Sequence, residues 1–406
     1  MSLLESTAGR EIGETYKSRS PVPEVDGTKN TSKLNGCDNC VDVPTKVPGS
    51  KMEEDILEWL IYVVSYVILL LLIYVNIYFI LALLVVYVIF RYVQSKCKKL
   101  LPVKNRAVLV TGCDRGFGFH FAKYLDDVGF IVYAGVLSKD GTGAKKLKSK
   151  SSKRLHVLQL DVTSEKDIKE VVTYINANTK SNGLWGVINN AGVNVFGDVE
   201  TTPMEQYERC LSINLYGMIR VTQNVLPLIR QSQGRIVNIS SVMGRYSSPG
   251  DSAYHISKHG IESMTDSLRM EMRALGVGVS IVEPGHYDAA TTCSNPEIVK
   301  IRRHEVDIQW ERASEEVKNF YGKAYFYRFF NRDNRKNSAD SPDRVIDAVV
   351  DALLNESPRA RYLVPGSSRM IDVYAEIGRF YGFFPEIISD VVLTWFTGSH
   401  KPQKIR

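Results

Sequence analysis

Ala107-Val-Leu-Val-Thr-Gly-Cys-Asp-Arg-Gly-Phe-Gly118 carries a short apolar run into a glycine-rich turn and then into the start of a helix. The glycines permit a tight turn and let backbone N–H groups approach a pyrophosphate at the helix N-terminus. A plain strand-to-helix connector can look the same, so the flanking chain decides. Downstream, short apolar runs recur at Ile131-Val-Tyr-Ala134, Leu155-His-Val-Leu-Gln-Leu160, Gly186-Val-Ile188, Arg235-Ile-Val-Asn-Ile239 and Gly278-Val-Ser-Ile-Val282. Longer amphipathic stretches such as 204–230 and 252–274 separate them. That alternation predicts βαβ units around a parallel sheet. The expected fold class is therefore α/β, a doubly wound parallel sheet of Rossmann type over residues 104–290. A chain of 406 residues accommodates one such domain plus extra segments.

The extra segments differ sharply in character. Residues 1–50 mix Ser, Thr, Gly, Pro and charges without an apolar period and read as a disordered polar tail. Glu5, Glu11, Glu14, Glu24 and Asp26 argue against a mitochondrial transit peptide, and the polarity argues against a cleaved secretory signal. Within the tail, Cys37 and Cys40 lack the second ligand pair that a zinc site needs, so no metal site is expected. From Ile56 to Phe90 the only strongly charged side chain is Glu58. We read 56–93 as a transmembrane segment, since as one helix the apolar run is about 52 Å long against a hydrocarbon thickness of about 30 Å. One tilted span or a helical hairpin divided near Asn76 both fit. Arg91, Lys96, Lys98, Lys99, Lys104 and Arg106 follow the run, whereas Glu53, Glu54 and Asp55 precede it, which places the downstream domain in the cytoplasm. Trp59, Tyr62, Tyr87 and Tyr92 fit the headgroup belts. Residues 291–406 form a helical C-terminal extension rich in Tyr and Phe, including Tyr374 to Phe396 with Pro385 as a break. It either closes a substrate pocket or packs as a terminal element. The net charge of +6 is spread along the chain without aromatic interleaving, so nucleic-acid binding finds no support. Six scattered cysteines point to a reducing compartment.

Several polar residues fall where a doubly wound sheet binds its ligands. Asp161 and Val162 end the third strand, and Asn189-Asn-Ala-Gly192 ends the fourth, both at the carboxyl edge. Helix caps and turns are the alternative reading for these. Asn214 lies inside a predicted helix, where its poor propensity favours a specific polar role over a solvated one. Ser241 closes a strand, and Tyr254 and Lys258 follow on a helix start, where i and i+4 share a face. A phenol is a poor base at neutral pH, but a neighbouring ammonium stabilises its phenolate and lowers its pKa.

This ordered set resembles the short-chain dehydrogenase/reductase family over about residues 104–290. The resemblance implies a catalytic set of Asn214, Ser241, Tyr254 and Lys258. It implies cofactor contacts from Gly112, Arg115, Gly116, Phe117, Gly118, Asp161, Val162, Asn190, Ala191, Gly192, Tyr254, Lys258, Pro284 and Gly285. Ser241 would also bind substrate. Within the family, Gly112 to Gly118, Tyr133-Ala-Gly-Val-Leu137 and Val282-Glu-Pro-Gly285 look like a branch holding 17β- and 11β-hydroxysteroid dehydrogenases of type 2, retinol dehydrogenases and 3-hydroxybutyrate dehydrogenase. Leu100-Leu-Pro-Val103 and Lys123-Tyr-Leu-Asp126 resemble the 17β-hydroxysteroid group, and Ser247 to Asp251 the hydroxybutyrate group. Val136 departs from the acidic residue that many NAD-dependent members carry, and Arg115 could meet a 2′-phosphate, so NAD is expected with NADP not excluded. Ala289 replaces a hydroxyl residue common after the Pro-Gly segment, and Thr291 or Thr292 could substitute.

The resemblance implies hydride transfer between the nicotinamide and an alcohol, with Tyr254 as base or acid, Lys258 on the nicotinamide ribose and Asn214 positioning a water. The membrane segment beside an aromatic-rich extension suggests a lipophilic substrate such as a steroid or retinoid. A 3-hydroxybutyrate dehydrogenase is the alternative, and it would want a cation for the substrate carboxylate. A catalytically inactive membrane-bound binding protein is the alternative of another class, which loss of a catalytic member would signal; all four stand in place. A homodimer is left open.

The endoplasmic reticulum membrane is the expected location, with the domain facing the cytosol and a mitochondrial membrane as the alternative. Protease added to sealed microsomes should digest the domain without detergent, and protection would reverse the orientation. Asn30-Thr-Ser32 should be glycosylated if the chain spans once and unmodified if the segment is a hairpin.

Overall fold

The computed structural model describes residues 49–96, 99–179, 182–288, 291, 296–331, 338–367, 372–381, 388 and 390–393. The tail up to residue 48 with Asn30, Cys37 and Cys40, together with Lys98, Ala289, Thr292, Pro385 and Phe396, lies outside them. The chain divides into two units, 1–88 and 89–406.

The first unit is represented by helix α1, Gly49–Lys96, whose 48 residues continue into the second unit. It contains the run Ile56–Phe90, the only helix among the described residues long and apolar enough to cross a membrane. The helix is unbroken at Asn76. The Asn76 amide donates to Leu72 O at 2.7 Å, one turn back, so the polar side chain is satisfied without a chain reversal.

The second unit is built on a seven-stranded sheet in the order β3-β2-β1-β4-β5-β6-β7, every pair parallel. The strands are β1 Ala107–Val110, β2 Ile131–Val136, β3 Leu155–Gln159, β4 Gly186–Asn189, β5 Arg235–Ile239, β6 Gly278–Pro284 and β7 Arg361–Val364. Connecting helices are α2 Gly116–Val128, α3 Thr142–Lys150, α4 Glu165–Thr179, α5 Met204–Leu211, α6 Met218–Ser232 and α7 Ser252–Arg273. The extension supplies α8 Pro296–Arg312, α9 Glu315–Tyr321, α10 Lys323–Phe326, α11 Asp343–Leu354 and α12 Val373–Phe380.

Strand periodicity explains the two-sided core. On β1, Val108 and Val110 join a cluster with Phe121, Leu125, Val345 and Leu353, whereas Ala107 and Leu109 join another with Ile168, Ile175, Val225, Ile229 and Leu268. A strand buried on both faces reads as continuous aliphatic residues, as this one does. Strand order reverses between β1 and β4, so the crevice at their carboxyl ends is where such a sheet takes its ligand.

Two features depart from the pattern read in the sequence. The stretch 204–230 is two α-helices joined by a π-helical turn, Ser212–Gly217, which contains Asn214. The extension is also not purely helical: α11 crosses back over β5 and β6 and feeds β7, paired with β6 from Ile281↔Arg361 to Pro284↔Val364. Leu353 on α11 is fully buried against this sheet. Truncating Leu353 to Ala should cost about 2–5 kcal/mol by the lost methyl burial and the cavity left behind. The measurement is the shift in denaturant midpoint of the full chain in detergent micelles.

Candidate functional site

The turn after β1 is fastened to the end of β4 by one threonine. The Thr111 hydroxyl accepts from Asn190 N at 2.9 Å and Ala191 N at 3.0 Å, while the Asn190 amide donates back to Thr111 O at 2.9 Å. Gly112 has φ +71°, a left-handed conformation that suits glycine, and a Cβ there would meet Ala191 Cα at 2.9 Å. At Gly118 a Cβ would fall 2.2 Å from Gly112 O and 2.5 Å from Asn190 Nδ2. The N-terminus of α2 can therefore press against the turn only because these side chains are absent. What remains is a cradle of backbone N–H groups at a helix start, which fits the pyrophosphate of a dinucleotide.

Around this cradle the sequence-read residues have distinct surroundings. Asp114 accepts from Leu137 N through both carboxylate oxygens, at 2.9 and 3.1 Å, and so ties the turn to the end of β2. Val136 is fully buried and Arg115 is exposed. Asp161 accepts from Thr163 N at 2.8 Å and from the Thr163 hydroxyl at 2.7 Å, a turn contact that coexists with its place at the carboxyl edge. Val162 is buried and fills the space beside Gly217, where a Cβ would meet it at 2.6 Å. Phe117 packs edge-on against Tyr287 with centroids 5.5 Å apart, just beyond Pro284-Gly285. Gly285 N donates to Val364 O at 2.9 Å, and a Cβ there would strike Asp372 Oδ2 at 2.3 Å. The Pro-Gly segment is thus seated by β7 and by the N-cap of α12.

The second group converges on α7. Asn214 is fully buried; its amide donates to Val193 O at 2.8 Å and Ser257 Oγ at 3.0 Å, and its carbonyl accepts from Val193 N at 2.8 Å. Its side chain thereby clasps the backbone leaving β4. Lys258 Nζ donates to Ile239 O, the last residue of β5, at 3.0 Å, and lies 5.4 Å from the centre of the Tyr254 ring. Burial pulls its pKa down to about 8, leaving the ammonium form at neutral pH. Ser241 caps a short 3₁₀ turn, Val242–Gly244, and accepts from Met243 N at 3.2 Å. His255, next to Tyr254, bonds Met243 O at 2.9 Å and Ser248, so the start of α7 is fixed to the turn that follows Ser241. Burial lowers the His255 pKa, favouring the neutral ring.

Tyr254, Lys258, Asn214 and the exit of β5 thus form one cluster, and the glycine turn with Asn190 forms another at the same sheet edge. Sequence reasoning did not single out Thr111, Ser257, Asp114 or Asp372 as supports. Thr111 and Asp114 lay inside the quoted turn, where their types as hydroxyl and carboxylate were the available signal. Among the described residues no three His, Cys, Asp or Glu side chains converge to hold a metal ion.

The family model described as short chain dehydrogenase matches residues 106–297. The rat protein named D-beta-hydroxybutyrate dehydrogenase, mitochondrial, is 43% identical over 264 residues, covering 64% of this chain and 76% of the relative. Mouse retinol dehydrogenase 16 is 35% identical over 310 residues, 74% of this chain and 91% of its own length. Rat estradiol 17-beta-dehydrogenase 2 is 35% identical over 319 residues, 78% and 81%. A Burkholderia cenocepacia short chain dehydrogenase, solved in complex with NADP, matches in fold with a TM-score of 0.50 at 21% identity, covering 70% of this chain and 95% of that one.

Replacing Gly118 with Ala should weaken NADH binding by tenfold or more, by roughly the 1.4 kcal/mol that a factor of ten represents, because the intruding methyl meets a backbone oxygen. Titration of the full chain by NADH fluorescence measures it, and unchanged affinity would remove the turn from the cofactor site.

Proposed function

This chain belongs to the short-chain dehydrogenase family and is an enzyme acting on CH–OH groups with a nicotinamide dinucleotide, and from that premise we propose a membrane-anchored dehydrogenase of lipophilic secondary alcohols of steroid or retinoid type. The observation that carries the catalytic assignment is the Lys258 ammonium 5.4 Å from the Tyr254 ring, buried and held by Ile239 O. A cation so placed stabilises the phenolate, which lets Tyr254 take a proton from the substrate hydroxyl or return it to a carbonyl. Ser241 binds the same oxygen. Gly112, Arg115, Gly116, Phe117 and Gly118 would hold the dinucleotide phosphates, Asp161, Val162, Asn190, Ala191 and Gly192 its adenosine half, and Lys258, Pro284 and Gly285 its nicotinamide half. Bound there, the cofactor accepts or supplies the hydride.

Charge pairing supports the substrate class. The extension lies on the loop after β4 through Gln309, which donates to Phe196 O at 2.6 Å and Gln206 Oε1 at 2.7 Å. Three arginines at this seam face carboxylates, Arg209 with Glu305, Arg328 with Asp198 at 2.6 Å and Arg312 with Glu205 at 2.8 Å, while Arg302 lies over the Phe196 ring. A substrate carboxylate bound by any of these three pairs would have to displace its acid, whereas a neutral lipophilic alcohol would not. The 43% identity to a hydroxybutyrate dehydrogenase keeps that acid as the second reading. The unbroken α1 supports a single span, and the basic flank supports a cytosolic domain on the endoplasmic reticulum; the mitochondrial name of the rat relative supports the other membrane.

The assay offers estradiol, retinol and 3-hydroxybutyrate to the purified full chain with NAD and with NADP. Estradiol or retinol oxidation with NAD ahead of NADP is expected; turnover of 3-hydroxybutyrate alone would favour the second reading. Tyr254→Phe should lose at least 100-fold in turnover, the scale of a positioned proton donor, while NADH binding stays near the parent value. A variant keeping most activity would remove Tyr254 from the chemistry.

A further inference from the structure

One buried carboxylate on the helix that carries Tyr254 and Lys258 has no part in the mechanism above. Glu262 lies one turn beyond Lys258 on α7, so the two share a helix face. Both are buried, at 8% and 5% exposure. Glu262 Oε2 is gripped by Arg361 of β7. The same guanidinium bonds Glu283 of β6 at 2.8 Å and Asp266, a further turn along α7. Glu262 Oε1 is buried as well, and the Glu262 carboxyl stands beside that of Glu283. Arg361 thus fixes the carboxylate by one oxygen, and its other oxygen is left in a low-dielectric region where a charge acts strongly on its neighbours.

We propose that Glu262 is a positioning residue for the reaction: held by Arg361, its carboxylate is the buried counter-charge that keeps Lys258 an ammonium ion. The proposal rests on the reading of Lys258 as the cation beside the nicotinamide ribose and Tyr254. Lys258 lies against the Tyr254 ring on its own helix, and the acidic groups whose charge acts on it are Cys210 of α5 and Glu262, one turn along α7. Burial is the largest influence and pulls the lysine down; Cys210 and then Glu262 pull it up. Burial also raises the Cys210 pKa, so at neutral pH it is an uncharged thiol and Glu262 supplies the working counter-charge. Glu262 in turn is faced by Arg361 of β7, Glu283 of β6, Arg245 beside the 3₁₀ turn, Arg379 of α12 across the same cleft, and Asp266 and Arg269 on α7. Burial, then the charge of Glu262 and a hydrogen bond shared with it, raise the Glu283 pKa to about 7 against the opposing pull of Arg245 and Arg361.

The sign is definite. A neutral residue at 262 removes the negative charge, so Lys258 should lose its proton at lower pH. The test is NADH binding, followed by fluorescence between about pH 6 and 10 on the full chain in detergent micelles, a range that spans the lysine's reference pKa and a buried one. In the parent chain affinity should fall as pH rises through about 8, and Lys258→Met should be weak and flat. Glu262→Gln should move the midpoint down by roughly half a unit to one unit, and Glu262→Met, a second neutral form of similar volume, should do the same. Glu262→Asp keeps the charge and should stay near the parent midpoint, an outcome a purely structural role does not give. An unmoved midpoint in both neutral variants, with Lys258→Met flat, would overturn the role of Glu262 alone. If Lys258→Met shows the same fall as the parent, the reading of Lys258 goes as well, and the proposal with it.

Discussion

The clasp between Thr111 and Asn190 is the constraint on which the rest of the crevice at the carboxyl ends of β1 and β4 depends. β1 and β4 part company where strand order reverses, and each leaves the sheet with backbone groups that no ladder can satisfy. Thr111 takes two of those N–H groups on one hydroxyl, and the Asn190 amide returns to the Thr111 carbonyl. A buried polar group left without a partner costs about 1–3 kcal/mol, so the exchange holds the crevice at one width. That fixed width in turn forbids a Cβ at Gly112 and Gly118, where Ala191 and Asn190 already stand.

From the clasp a polar chain runs under the crevice to α7, the helix of Tyr254 and Lys258. Asn189 donates to Thr222 of α6 and to Asn238 of β5, each at 2.9 Å, and Asn238 donates to Thr265 of α7 at 2.9 Å. These groups are buried in a largely aliphatic sheet, where each bond made offsets the desolvation of its donor, although Asn189 Oδ1 has no partner among the described residues. They fix the register of α6 and α7 against the strands more tightly than apolar packing alone. The π-helical turn belongs to the same arrangement. It shifts Asn214 out of the ordinary helical phase so that its amide meets Val193 and Ser257 together, and such turns are frequent at functional sites.

Much of this was legible in the chain because it follows from local pattern. Ala107 to Val110 and its successors are short aliphatic runs spaced by helical stretches, and the glycine turn announces itself. Asn214 stood out because helix propensity disfavours it, although the contacts that explain it come from Val193 and Ser257, outside its own turn. β7 escaped because Arg361-Tyr-Leu-Val364 is four residues long, alternates in burial and finds its partner on β6, far back in the sequence. Asp372 escaped for a similar reason. Its carboxylate takes Gly366 N and Ala375 N, and only the folded chain reveals that it also stands against Gly285. Local propensity carries no information about such long-range seats.

The Tyr254–Lys258 cluster proposed for catalysis is a balance between two opposed electrostatic effects. Burial makes a charge on Lys258 more effective on the Tyr254 ring, because less solvent screens it, and the same burial makes the charge harder to keep. A lysine left in water would hold its proton to about pH 10 but stabilise the phenolate weakly. A lysine buried without compensation would be neutral at physiological pH and stabilise nothing. This chain sits between those limits: Nζ is anchored on Ile239 O, its pKa is pulled to about 8, and acidic groups stand on its own helix. The seventh strand then acquires a role that its length does not suggest. Through Arg361 it brings a guanidinium to the acids of α7 and β6, and through Val364 it seats Gly285. One four-residue strand at the sheet edge thereby touches both the charge environment of α7 and the wall proposed for the nicotinamide.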